Sequence, residues 1–156
     1  MSGRRHLAAA VACVAVALTG AVAATAGAAP PVSAPAYVVW SAVDGTTLAA
    51  RNADRPRSIA SITKLMTVLV ALEHARLDDV VTVPRAATRI GESTIYLRPG
   101  ERVTVRDLAV GALVPSANDA ATALALHAGR GSLPRFVALM NAKARALGLR
   151  GTHFAN

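Results

Sequence analysis

Ser61 and Lys64 stand three residues apart in Ser61-Ile62-Thr63-Lys64. On a helix that spacing makes a nucleophile and a potential base neighbours, with β-carbons about 5–6 Å from each other. A serine hydroxyl is inert until something takes its proton, and an adjacent amine can do so when burial favours the neutral form. The surroundings invite burial: Ile59, Ile62, Leu65, Met66, Val68, Leu69, Val70 and Leu72 form the most apolar stretch outside the N-terminus. Of 17 basic residues only Lys64 and Lys143 are lysines. A guanidinium keeps its proton at any working pH, whereas a desolvated lysine can act as a base. The four residues alone also admit another reading, a surface lysine on an amphipathic helix capped by serine.

A second short motif, Ser116-Ala117-Asn118, follows Pro115. For a chain of this composition about 0.1 S-x-x-K and about 0.2 S-x-N are expected, so the pair arises by accident about once in fifty such chains. The first motif opens a long apolar helical stretch, and the second sits in a break between two. Asn118 also fits a helix N-cap.

Together with these motifs, several further segments carry a family resemblance: Asp44-Gly45, Ile59-Ala60, Leu65-Met66-Thr67, Leu97-Arg98-Pro99-Gly100-Glu101, Asp119-Ala120-Ala121, Leu147-Gly148-Leu149, and Thr152 through Asn156. From about residue 36 to 156 the chain resembles the D-alanyl-D-alanine carboxypeptidases, the low-molecular-weight penicillin-binding proteins of the serine β-lactamase-like superfamily. The resemblance implies an α/β (α+β) fold of the β-lactamase/transpeptidase type, with an N-terminal hairpin and a helical region. It implies acyl transfer on peptidoglycan stem peptides through an acyl-enzyme at Ser61, with β-lactam antibiotics as inhibitors. Lys64 would accept the proton, Ser116 would relay it, and the Asn118 amide would bind substrate, donating to a carbonyl and accepting from an N–H. No metal and no cofactor is implied. The family's third motif, K-T-G on a sheet strand, does not occur in these 156 residues. The expected catalytic domain, residues 36–156, is therefore incomplete, its C-terminal strands missing. Two other functions compete: a non-catalytic envelope-binding remnant, and a serine β-lactamase relative, although Ala117 stands where S-D-N has aspartate.

Length suggests one domain, after a secretory signal is set aside. Arg4, Arg5 and His6 precede an Ala/Val-rich core, and Ala26-Gly27-Ala28 offers a small-residue cleavage site. We expect residues 1–28 to be a signal peptide and 29–35 a Pro/Ala/Ser linker. The competing reading is a retained membrane anchor, since no charge falls between Leu7 and Val43. Both place the protein outside the cytoplasm, in the cell envelope or secreted. The only cysteine, Cys13, lies within that segment. Loss of Arg4 and Arg5 with the signal lowers the net charge of +8 by two, to about +6, and a basic exported protein favours anionic envelope polymers. With 3% aromatics and no basic run, nucleic acid is not a partner. None of the four histidines, His6, His74, His127 and His153, has metal-ligand spacing. Asp78-Asp79 is an adjacent pair whose side chains would point to opposite faces of a strand.

The elements that must position these residues follow from pattern. Residues 36–40 and 46–50 read as strands joined by an Asp-Gly turn. Ser58 is expected to cap or precede a helix running to about 75, and 78–83 reads as a short strand. Thr104 to Asp107 resembles a capping box opening a helix to about 114. Pro115 stops it, Asn118 or Asp119 starts an Ala-rich helix ending at Gly129, and Ser132 starts a last helix closed by Gly148. The expected product is mostly helical with a single hairpin of sheet.

Overall fold

The computed structural model describes residues 32–155. The expected signal peptide and the start of the linker lie outside these. The chain divides into two compact units, Met1–Ala53 and Asp54–Asn156.

The first unit is the expected hairpin. Strands β1 (Tyr37–Trp40) and β2 (Thr47–Arg51) are antiparallel, with Tyr37 opposite Arg51 and a bulge between Val39 and Trp40. The turn is shaped by Asp44, whose Oδ1 accepts the Thr46 N–H at 3.1 Å and the Thr46 hydroxyl at 2.9 Å. Those bonds, with one from the Ser41 side chain as the largest influence, hold the Asp44 carboxyl below its ordinary pKa. Gly45 takes φ +73°, open to glycine at no steric cost. Arg51 reaches back to the carbonyls of Val32 and Ala34, and its guanidinium lies 5.6 Å from the Tyr37 ring centroid.

The second unit holds four helices: α1 (Thr63–His74), α2 (Val105–Leu113), α3 (Asn118–Ala128) and α4 (Leu133–Ala146). It also holds a second small sheet, of antiparallel β3 (Val80–Thr82) and β4 (Arg102–Thr104). This corrects the single-hairpin expectation. In Arg102-Val103-Thr104 only Val103 is apolar, too short a run to show a period of two. What β4 does is feed α2: Thr104 ends the strand and caps the helix, accepting the Asp107 N–H at 3.1 Å.

Helix α3 is the centre of the core. Ala120, Ala123 and Leu124 are almost wholly buried, against Val70 and Ala71 of α1, Leu108 and Ala112 of α2, and Phe136 and Met140 of α4. Its small alanine side chains let three helices approach one axis, so dispersion contacts accumulate without voids. Ser132 caps α4 by accepting the Arg135 N–H at 3.3 Å. That helix closes as a Schellman motif, the Leu149 N–H reaching Ala144 O at 2.9 Å and the Gly148 N–H reaching Arg145 O at 3.0 Å.

Ser58 precedes α1 and does not cap it: the helix is entered through a 3₁₀ turn, Ala60–Ile62, whose preceding residue Ile59 makes no side-chain cap. The apolar stretch is also not uniformly buried. Met66, Val68 and Val70 are in the core, but Ile62 and Leu65 are 62% and 61% exposed, and Leu69 and Leu72 are each 41% exposed. Those four positions share one helical stripe. Among the described residues no helix is long and apolar enough to cross a membrane.

An apolar stripe left in water predicts the behaviour of residues 29–156 expressed alone. We expect that polypeptide to bind the dye ANS strongly and to melt without a sharp transition. A single cooperative thermal transition with no dye binding would contradict this.

Candidate active site

Ser61 occupies the middle of the 3₁₀ turn, and Lys64 is the second residue of α1. The one-turn spacing brings Lys64 Nζ to 3.1 Å from Ser61 Oγ. The same nitrogen lies 3.0 Å from Ser116 Oγ, which is 52 residues away in sequence. As an ammonium group Nζ donates to both hydroxyls. Lys64 is only 7% exposed, and no carboxylate pairs with it among the described residues. The other lysine differs: Lys143 of α4 forms an ion pair with Glu73 of α1. Lysine is thus not reserved for chemistry in this chain, and what sets Lys64 apart is its place between two serine hydroxyls.

Two backbone conformations make that geometry. Ala60 has φ +45° and Ser116 φ +60°, left-handed values that cost a non-glycine residue about 1–3 kcal/mol. Such strain persists only where the surroundings impose it. At Ser116 the constraint is visible: α2 stops at Leu113, Pro115 follows, and the Ala117 N–H bonds back to Gly111 O at 2.9 Å. The chain folds back over the end of α2, and this reversal carries the Ser116 hydroxyl to Lys64. Ala117, fully buried, is the pivot.

Asn118 is the first residue of α3 and not its cap; Ala117 holds the cap position and makes no side-chain bond there. The Asn118 Nδ2 donates to Gly91 O at 3.3 Å, and its backbone N–H donates to Ser93 O at 2.7 Å. Nor does Ser61 serve as a helix cap. No intramolecular acceptor takes the Ser61 N–H among the described residues, so this donor remains available to an oxyanion formed at the adjacent Oγ.

All but one of these side chains open onto a cleft of about 510 Å³, lined by Ser61, Lys64, Thr67 and Asn118 at its polar end and by Phe136, Val137 and Met140 beyond. Ser116 is absent from the lining and reaches the cleft only through Lys64. Sequence reasoning missed one wall. Ile90, Glu92 and Ser93 line the cleft from an irregular segment that shows neither period nor motif. A second concavity of about 410 Å³ is lined in part by Thr82, His127 and Arg130, with no serine, cysteine or lysine in its lining.

The remaining candidates have separate surroundings. His74 and His127 lie in the last turns of α1 and α3, where a cation is mildly favourable. His153 sits in the segment after α4, beside Phe154, whose backbone makes two hydrogen bonds with the Asn141 amide. Asp78 pairs with Arg106, while Asp79 accepts the Arg76 N–H at 2.8 Å, so the adjacent acids act separately. Among the described residues no three His, Cys, Asp or Glu side chains are grouped to hold a metal.

The D-alanyl-D-alanine carboxypeptidase family pattern matches residues 23–156. The D-alanyl-D-alanine carboxypeptidase DacD of Salmonella typhimurium is 42% identical over 136 residues, 80% of this chain and 35% of that protein. The solved DacD of Francisella tularensis superimposes with a TM-score of 0.75 at 38% identity, covering 81% of this chain and 32% of that one. A mutant of the Streptomyces K15 DD-transpeptidase gives a TM-score of 0.76 at 37% identity, covering 82% of this chain and 54% of that one. The chain therefore spans about a third of the length of the DacD relatives it matches.

The geometry separates two nearby serines. In the full-length protein, Ser61→Ala is expected to abolish covalent labelling by a fluorescent penicillin, whereas Ser58→Ala leaves labelling intact, because only Ser61 lies within reach of Lys64 Nζ. Labelling that survives Ser61→Ala, read on a denaturing gel, would remove Ser61 as the nucleophile.

Proposed function

From the family to which the chain belongs, the D-alanyl-D-alanine carboxypeptidases, we propose that these residues are the nucleophile-bearing part of a serine-type D-Ala-D-Ala carboxypeptidase. Its substrate in this reading is the peptidoglycan stem peptide. The observation that carries the reading is Lys64 Nζ, buried without a counter-ion among the described residues and within 3.1 Å of Ser61 Oγ and 3.0 Å of Ser116 Oγ.

The steps follow from that triangle. Lys64 Nζ, acting as the base, takes the proton of Ser61 Oγ as the oxygen attacks the carbonyl between the two terminal D-alanines. The tetrahedral oxyanion is met by the Ser61 N–H at the start of the helix, where the peptide dipoles favour negative charge. Collapse breaks the C–N bond, and the departing D-alanine amine receives the proton through Lys64 and Ser116. The Asn118 side chain, at the rim, holds the peptide's own amide. Water then attacks the acyl-enzyme, its proton passing to the same lysine, and Ser61 is regenerated. A β-lactam follows the first half of this path and leaves a penicilloyl ester on Ser61. The second oxyanion donor and the groups that hold the substrate's terminal carboxylate are assigned, in this reading, to the length of the relatives that this chain does not span.

An extracytoplasmic place of work fits both substrate and family. Residues 1–28 would direct export, and a membrane-associated form would follow if that segment is retained.

The test is D-alanine release from a stem pentapeptide by the full-length protein, with a penicilloyl adduct mapped to Ser61. An adduct without any D-alanine release would favour an envelope-binding protein over an enzyme. Rapid penicillin turnover would favour a β-lactamase.

Charge and proton transfer can be separated at one position. Lys64→Arg keeps the charge but cannot give up its proton. It is expected to slow acylation by about 10²–10⁴-fold, close to the loss from Lys64→Ala. If acylation by Lys64→Arg stays within about tenfold of the parent, Lys64 acts as a fixed positive charge and the base lies elsewhere.

A further inference from the structure

Asp119 follows the S-x-N motif, is 2% exposed, and takes no part in the proton path described above. A buried carboxylate is costly unless its oxygens are satisfied, so its partners identify its task. Oδ1 accepts the Ala120 N–H at 2.9 Å, inside the first turn of α3, and the Ile95 N–H at 3.2 Å. Oδ2 accepts the Leu97 N–H at 3.0 Å. Two of these three bonds reach across to the irregular segment that forms the missed wall of the cleft.

The same segment is tied from its other end. The Asn118 N–H donates to Ser93 O, the Asn118 amide donates to Gly91 O, and the Ser93 hydroxyl donates to Pro115 O at 2.9 Å. Residues 91–97 form no regular strand or helix, and Glu92 and Tyr96 sit at φ +68° and +60°. A strained, irregular stretch holds one shape only when its surroundings over-determine it. Here the over-determination comes from the S-x-N turn, with Asp119 its only buried charged member. Glu92, the one carboxylate lining the cleft, and Ser93 are carried on this stretch.

We propose that Asp119 is a positioning residue: its carboxylate clamps residues 91–97 onto the N-terminus of α3 and thereby fixes the Asn118 amide at the rim of the cleft. It works through Asn118 and the segment and touches no substrate. The proposal rests on the reading of Asn118 as a substrate-binding residue.

Asp119→Asn preserves shape while replacing one acceptor oxygen by an NH₂ group that must face a backbone N–H. In the full-length protein we expect acylation by fluorescent penicillin to fall by about 10- to 100-fold, the scale on which a small misplacement acts. In an Asn118→Ala background the same substitution should cost less than about threefold, because the group it positions is already gone. A structural role alone would lower both backgrounds equally, and that result overturns the proposal, as does a folded Asp119→Asn protein that acylates normally. Hydrogen exchange supplies a readout independent of activity: Asp119→Asn should expose the Ile95 and Leu97 amides while those of α3 from Ala123 onward stay protected. Retained protection at both amides also overturns it. Should Asp119→Asn fail to fold, Ser93→Ala removes a tie of the same segment at an exposed position. It should slow acylation in the parent and not in Asn118→Ala; an unchanged rate in the parent counts against the clamp. If the parent itself is not acylated, the enzyme reading fails, and hydrogen exchange alone decides the role of Asp119.

Discussion

A lysine amine buried between two serine hydroxyls, with no counter-ion among the described residues, is the constraint from which most of this structure follows. Placing such a group in the interior carries a desolvation cost that only good hydrogen bonding offsets. One hydroxyl comes at no topological cost, from the preceding helical turn. The other must be brought from 52 residues away, and doing so requires that α2 end, the chain reverse, and α3 begin within a few residues beside α1. The left-handed residues Ala60 and Ser116 mark the two places where the backbone is bent to meet the lysine.

What holds those bends is the alanine-rich helix behind them. Ala120, Ala123 and Ala125 present little side chain, so α1, α2 and α4 close on α3 at short range. Rigidity there transmits to the motif, because Ser116 and Asn118 sit immediately before and at the helix start. The irregular wall of residues 91–97 has no such support of its own and borrows it through hydrogen bonds. The site therefore combines a rigid side, of helices α1 and α3, with a side whose shape is only as fixed as its ties.

Much of this was legible before any coordinates. The 3.6-residue period located the helices, Thr104 and Ser132 marked two of their starts, and Pro115, Gly129 and Gly148 marked stops. The Ser61–Lys64 neighbourhood was legible in their one-turn spacing, although Ser61 sits in a 3₁₀ turn and not in α1 itself. The closure of Ser116 onto Lys64 does not: nothing in the spacing says that the second motif folds back to the first, and the juxtaposition was read from resemblance. The wall at Ile90, Glu92 and Ser93 leaves no period in the sequence, because the segment is tied to partners distant in sequence, Asn118 and Pro115. Of the two roles open to Ser58 the structure takes the second: it precedes α1 without capping it, because the helix is entered by a 3₁₀ turn that uses no side-chain acceptor. The exposed stripe of α1 escaped notice for another reason. Composition reports how apolar a stretch is, not how many of its faces are covered.

Ala117 is nominally the free letter of S-x-N, yet it is the residue at this site with no exposed surface at all. Its methyl group sits where the chain reverses against α2, with its own N–H spent on Gly111 O. Substitution at that letter is therefore a question of volume and solvation before it is one of chemistry. An aspartate there would bring a carboxylate into a space that now holds one methyl group, and it would need several new donors at once. The two neighbouring letters are placed by their hydrogen bonds, Ser116 with Lys64 Nζ and Asn118 with the carbonyls of Gly91 and Ser93, and the middle one by what it fits into. A change from S-A-N to S-D-N thus asks for coordinated change in the packing around α2.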